Sequence, residues 1–124
     1  MTPLGQHLLM DFYGCDGHLL DDAEYMEAQL RRAAEAASAH VLSATFHRFA
    51  PQGISGVLSL RESHLAIHTW PERRFAAADL FSCGQIDPWP AHDLLKEALR
   101  AEHTRTRQQA RGTEFPDDGG TPHA

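Results

Sequence analysis

The chain is 124 residues long, 42% hydrophobic, and carries a formal net charge of −6. That length fits one domain with a real but modest core. The acidic balance, without a basic stripe interleaved with aromatics, argues against nucleic acid as a partner, and no apolar run nears the twenty or so residues of a membrane-spanning helix.

The first residues, Met1-Thr2-Pro3-Leu4-Gly5, show neither the basic nor the apolar segment of a signal peptide, so a cytoplasmic protein is expected. Residues 6–13 read as a strand, closed by a turn over Gly14-Cys15-Asp16-Gly17. Asp21 or Asp22 is placed to cap a helix to about Ala39, with Ala23, Met26, Leu30, Ala33, Ala34 and Ala37 at helical spacing. Val41 to Phe49 reads as a second strand, with Val41, Ser43, Thr45, His47 and Phe49 on one face and Leu42, Ala44, Phe46 and Arg48 on the other. A turn at Ala50-Pro51-Gln52-Gly53 leads to a third strand, Ile54 to Arg61. Leu65 to Trp70 is a fourth, stopped by Pro71, and Phe75 to Ser82 a fifth. Pro88-Trp89-Pro90 introduces a second helix, Ala91 to Ala101. Thr104 to Gln109 is an expected edge strand, and 112–124, rich in Gly, Pro, Asp and Thr, an expected disordered tail. Short connections favour antiparallel neighbours. The predicted fold is a single α+β domain over 1–111. It is a two-layer sandwich, an antiparallel sheet with two helices on one face, dimerising through the bare, apolar other face.

Chemistry is densest in Glu62-Ser63-His64-Leu65-Ala66-Ile67-His68-Thr69-Trp70-Pro71-Glu72. No GxSxG elbow surrounds Ser63. A serine hydroxyl can still attack the carbonyl of the preceding residue if the backbone is bent and the oxyanion held, turning an amide into a more labile ester. The plain alternative is a serine bonded to nearby backbone. His68 lies five residues on, which on a regular strand is the opposite face. The pair can cooperate only if the strand starts after Ser63, bulges, or meets its partner across strands. His64 and His68 share a face and offer a weak metal pair lacking a third ligand; His68 is also readable as a hydrogen-bonded core histidine. Cys15 and Cys83 form no CxxC, and each is either a buried small side chain or a working thiol. At a strand end, Cys83 is placed where a thiol can donate a proton or act as a nucleophile. Phe49 and Trp70 can flank a planar ring or fill a core. Ser55, between Gly53 and Gly56, sits where backbone can approach closely, or is a turn residue.

The segments Leu4-Gly-Gln-His-Leu, Phe12-Tyr-Gly-Cys15, Phe46-His-Arg-Phe49, Pro51-Gln-Gly-Ile-Ser-Gly56, the eleven residues from Glu62 to Glu72, and Asp79-Leu-Phe-Ser-Cys-Gly84 closely resemble the prokaryotic S-adenosylmethionine decarboxylase proenzymes, from about Leu4 to Leu99. The resemblance implies self-cleavage between Glu62 and Ser63. Ser63 then becomes a covalent pyruvoyl cofactor, which forms a Schiff base with the substrate amine and serves as the electron sink. It implies that Ser55 and His68 assist processing and that Cys83 donates a proton in turnover. Phe49 and Trp70 match positions near the adenine, Glu72 matches a carboxylate at the ribose, and Leu65 belongs with the substrate-binding positions. The implied substrate is S-adenosylmethionine, the product an aminopropyl donor for spermidine synthesis, and the assembly a homodimer with its sites at the interface; no metal, nucleic acid or membrane is implied. Arg73-Arg74 departs from the pattern by putting two cations beside a site for a sulfonium. Three alternatives stay open: a pyruvoyl decarboxylase of ornithine or arginine, a non-catalytic partner subunit, and a metal-binding module built on His64 and His68.

Overall fold

The computed structural model describes residues 3–84 and 86–116. Strands β1 (Gly5–Tyr13), β2 (Val41–Arg48), β3 (Ile54–Leu60), β4 (Ser63–Trp70), β5 (Phe75–Ser82) and β6 (His103–Arg111) form one sheet in the order β2-β3-β4-β5-β1-β6. Every neighbouring pair is antiparallel. Helices α1 (Gly17–Leu20), α2 (Ala23–Ala36) and α3 (Trp89–Ala98) accompany the sheet. The core includes Leu8, Met10 and Phe12 from β1, Leu65 and Ile67 from β4, Leu80 from β5, Met26 and Leu30 from α2, and Leu95 from α3, all essentially inaccessible to solvent. Alternation along β5 is strict, with Ala76, Ala78, Leu80 and Ser82 buried and the residues between them half-buried. The other face is unsealed: Leu9, Val57 and Trp70 are each about 40% exposed. The fold is thus α+β, as expected.

The differences from the expected elements have local causes. There are three helices rather than two, because the Asp16 carboxylate accepts from the amides of His18 and Leu19 and starts the short α1 where a plain turn was expected. Asp22 caps α2 at the Tyr25 amide. That helix stops at Ala36 rather than Ala39, because Ser38 turns left-handed (φ 64°) and the Ala39 amide reaches back to the Ala34 carbonyl. The α3 helix runs from Trp89 to Ala98 rather than 91–101, ended likewise by Arg100 (φ 56°). The predicted faces of β2 do not hold. A bulge between Val41 and Ser43 resets the alternation, so Val41, Ala44 and Phe46 pack on the core together. Ser63 lies inside β4, not ahead of it. The weak Thr104–Gln109 alternation extends into a nine-residue edge strand along β1. Of the expected tail, 112–116 is exposed or follows the strand as loop, and 117–124 lie outside the described residues.

Candidate active site

Two residues, Arg61 and Glu62, join β3 to β4, with Leu60 paired to Ser63 across the hairpin. Glu62 has φ 60°, in the left-handed region that non-glycine residues avoid. Among the described residues the other non-glycine positive-φ positions are Ser38, Arg74 and Arg100, each of which terminates a helical turn. Glu62 alone holds it between two strands, at a cost of about 1–3 kcal/mol.

Ser63 shares the core-facing parity of Leu65 and Ile67, and its Oγ is buried without a hydrogen-bond partner. An unsatisfied hydroxyl costs about 1–3 kcal/mol, and its lone pairs are unencumbered for attack. On the far side of the peptide, the Cys83 thiol donates to the Glu62 carbonyl oxygen at 2.9 Å. Partial burial pushes the Cys83 thiol pKa up, and the nearby Glu62 carboxylate pushes it further, so the group holds its proton. Cys15, by contrast, is the inert cysteine: fully buried, with burial raising its pKa to about 11 against a smaller opposing effect of Arg74.

A second group gathers at the opposite end of β4. Ser55 and His68 are register partners on β3 and β4, and Ser55 Oγ lies 2.8 Å from His68 Nδ1. Phe49, Trp70 and Glu72 line a cavity of about 280 Å³ together with these two. Phe49 and Trp70 are 46% and 40% exposed, so they present their rings outward instead of filling the core. Asp21 fastens the loop after Phe49. Its carboxylate accepts from the Gly53 amide at 2.9 Å and from Arg48 at 2.7 Å, and the Gly53 bond chiefly lowers its pKa. Thr69 ties the same corner, donating to the Leu20 carbonyl and accepting from the Ile54 amide.

The two groups do not meet within one chain. Ser63 and His68 point to opposite faces of β4, and five residues of strand separate them by roughly 17 Å. Neither a late strand start nor a bulge in β4 rescues the pairing, since β4 begins at Ser63 and its register is continuous. Leu65 is fully buried, so its side chain does not line the cavity of Phe49, Trp70 and Glu72.

His64 and His68, four residues apart along a strand, are also too far apart to share an ion, about 13 Å. His64 instead converges with His7 and Asp79: both imidazole Nε2 atoms approach Asp79 Oδ2, at 2.6 and 2.7 Å. These three groups offer ligand atoms within 4.8 Å of one another. Arg111, however, donates to His7 Nδ1 at 3.3 Å, which leaves Nε2 as the protonated nitrogen and makes it a donor to Asp79, not a metal ligand. Sequence reasoning missed this chain of side chains. His7, Asp79 and Arg111 come from β1, β5 and β6, and only the sheet order makes them neighbours. The Arg73-Arg74 departure also finds its place. Arg74 turns away to donate to the Cys15 and Gly14 carbonyls, at 2.8 and 3.0 Å, and lies 3.7 Å from Glu102.

The arrangement provides a strained peptide with a poised hydroxyl and a protonated thiol at one end, and an aromatic cleft with a Ser–His pair at the other. A family model described as S-adenosylmethionine decarboxylase matches residues 6–112. The S-adenosylmethionine decarboxylase proenzyme of Thermotoga maritima is 47% identical over 113 residues, spanning 90% of this chain and 87% of its own. That of Caldicellulosiruptor saccharolyticus is 45% identical, spanning 90% and 91%. Among solved structures, the adenosylmethionine decarboxylase from Aquifex aeolicus superposes with a TM-score of 0.86 at 31% identity, over 97% of this chain and 99% of that one.

Proposed function

The chain belongs to the S-adenosylmethionine decarboxylase family, and from this premise we propose that it cuts itself between Glu62 and Ser63 and uses the pyruvoyl group so formed to decarboxylate S-adenosylmethionine. The observation that carries the reading is the cleavage hairpin itself. A buried, unpartnered Ser63 hydroxyl adjoins a left-handed Glu62 whose carbonyl already accepts from Cys83. Attack of Ser63 Oγ on the Glu62 carbonyl carbon places charge on the oxygen to which the thiol donates, and the strain at Glu62 is relieved as the peptide opens. Once made, the pyruvoyl group supplies an electron sink for the charge left by departing CO2. Cys83, which holds its proton, delivers it to the substrate carbon. Phe49 and Trp70 hold the adenine between aromatic faces, and Glu72 accepts from the ribose hydroxyls. The product is the aminopropyl donor for spermidine synthesis.

The two halves of this site belong to different subunits in our reading. Glu62, Ser63 and Cys83 lie too far from Ser55 and His68 in one chain, while the open sheet face that carries His68 leaves Leu9, Val57 and Trp70 exposed among polar and charged side chains such as Asp11, Asp79 and Arg105. A two-fold pair packed through these faces brings the partner's Ser55 and the partner's His68 to the Glu62–Ser63 peptide from the side on which Cys83 lies, opposite the core-facing Ser63 hydroxyl. With His68 Nδ1–H donating to Ser55 Oγ, the ring is held in place and Nε2 is left free to accept a proton, as a processing base requires. Among the described residues no helix is long and apolar enough to cross a membrane, and we place the enzyme in the cytoplasm. The engagement of Arg74 by backbone carbonyls removes one of the two cations that favoured another amino acid as substrate.

Intact mass spectrometry tests the proposal. Wild-type protein should resolve into Met1–Glu62 and a second fragment beginning with a pyruvoyl group, and Ser63→Ala should remain one chain without activity. An uncut wild-type chain that decarboxylates at full rate would refute it.

A further inference from the structure

A second cavity, of about 270 Å³, opens beside the scissile peptide, where Glu62 and Cys83 face Phe81 and Arg111 across the start of β1. Arg111 is held there by three constraints. Its backbone is in register with Gly5. The next residue, Gly112, accepts from the Leu4 amide at 3.2 Å. Its guanidinium lies over the Phe81 ring, 5.9 Å from the centroid. Gly5 makes the arrangement possible, because a Cβ there would come within 2.6 Å of the Phe81 ring. Arg111 spends one donor on His7, forms no ion pair among the described residues, and lines the same cavity as Glu62 and Cys83.

We propose that Arg111 receives the carboxylate that self-cleavage releases on Glu62, and thereby drives the elimination step of processing. The inference rests on the self-cleavage reading above. In the first step, Ser63 Oγ bonds to the Glu62 carbonyl carbon, the C–N bond breaks, and the proton lost by the hydroxyl ends on the nitrogen. The chain is then joined by an ester. In the second step, a base removes the Ser63 Cα proton and that electron pair becomes the Cα=Cβ bond. The Cβ–Oγ bond breaks, and its electron pair departs on the Glu62 carboxylate, which keeps Oγ as one of its two oxygens. Tautomerisation of the resulting enamine, addition of water and loss of ammonia leave the ketone; no oxidant or reductant enters. The leaving group therefore gains a full negative charge where a neutral carbonyl stood, beside the Glu62 side-chain carboxylate. Two anions on one residue need a cation, and a guanidinium fork matches a carboxylate. The same movement withdraws the Glu62 carbonyl from Cys83 and frees the thiol for turnover.

The test follows processing of freshly translated chain by intact mass, with and without hydroxylamine, which cleaves an ester but leaves an ordinary peptide bond. Wild type should pass through the ester without accumulating it. In Arg111→Gln and in Arg111→Met, which keeps the stem against Phe81, elimination should slow about tenfold or more. Uncut chain should then be split by hydroxylamine into a Glu62 hydroxamate fragment and one with N-terminal Ser63. Arg111→Lys should recover most of the rate, and methylguanidinium should partly rescue the neutral variants, which a purely structural arginine would not allow. If both neutral variants fold and process at the wild-type rate, or accumulate hydroxylamine-resistant precursor instead of ester, the proposal is overturned. If neither folds, the Lys variant decides: processing in which any uncut chain is hydroxylamine-sensitive ester supports the proposal, and hydroxylamine-resistant precursor overturns it. A wild-type chain that never cleaves between Glu62 and Ser63 would instead refute the self-cleavage reading.

Discussion

Cys83 Sγ stands 2.9 Å from the carbonyl oxygen of Glu62, twenty-one residues earlier in the chain. In the proposed processing this is the oxygen that becomes an oxyanion, so one thiol serves twice, first as oxyanion donor and later as proton donor. Cys83→Ala should therefore slow both events. Cleavage should slow modestly, because a thiol is a weak donor, and turnover of the cleaved enzyme by about 100-fold or more, the range for losing a general acid. Single-turnover decarboxylation, measured separately from cleavage by intact mass, distinguishes the two. Wild-type turnover by this variant would remove Cys83 from the mechanism.

The pH dependence of cleavage follows from the same contact. Burial first and the Glu62 carboxylate second raise the Cys83 pKa. The donor function, which needs the protonated thiol, is then fully present below the ordinary thiol value of about 8.5 and is lost only as pH rises through a higher one. The alkaline limb of the cleavage rate should fall above the ordinary thiol range. It should move down when Glu62→Gln removes the neighbouring charge. A limb at or below the ordinary value would show that the thiol is not the titrating donor.

Division of the site between subunits can be tested by mixing. Ser63→Ala and His68→Ala should each be inactive alone. Coexpressed, they form mixed dimers in which one site inherits both lesions and the other inherits neither, so activity should return to roughly a quarter of wild type. A site contained in one chain would give no recovery in the mixture.

The left-handed peptide at Glu62 should be measurable as stored strain. In an uncleavable Ser63→Ala background, Glu62→Gly is expected to stabilise the fold by about 1 kcal/mol, since glycine adopts φ 60° freely. The corresponding rise in Tm is about 3–5 °C for a domain of this size. An unchanged or lower Tm would mean that the hairpin carries no strain to release.

Asp21 connects acid stability to the aromatic cleft. Its pKa is lowered chiefly by the Gly53 amide, with Arg48 adding to it. Because the folded value is below the unfolded one, its contribution is present above the ordinary carboxylate range and is lost as pH falls through the folded value. Below about pH 4 the loop bearing Phe49 should loosen, which Trp70 fluorescence can follow. Asp21→Asn should flatten that transition and, at neutral pH, raise KM more than it lowers kcat. A steep acid transition that survives the substitution would assign it to another group.

The hydrophobic alternation along Phe75–Ser82, the Asp22 cap of α2 and the proline that stops β4 are local patterns, so the sequence already contained the strands, both long helices and the antiparallel sheet. The run from Glu62 to Glu72 held the serine, the histidines and the indole of the proposed site, but spacing and side-chain type left their roles open, and only the family resemblance suggested them. The backbone conformation of Glu62, the bulge that turns the faces of β2, and the meeting of Cys83 with the Glu62 carbonyl were decided by tertiary structure. So was the line from Arg111 through His7 to Asp79 and His64, whose members are drawn from β6, β1, β5 and β4. Contacts between strands depend on which strand lies beside which and in what register. That choice is made by burying one face of the whole sheet under the helices, and no single stretch of residues carries it.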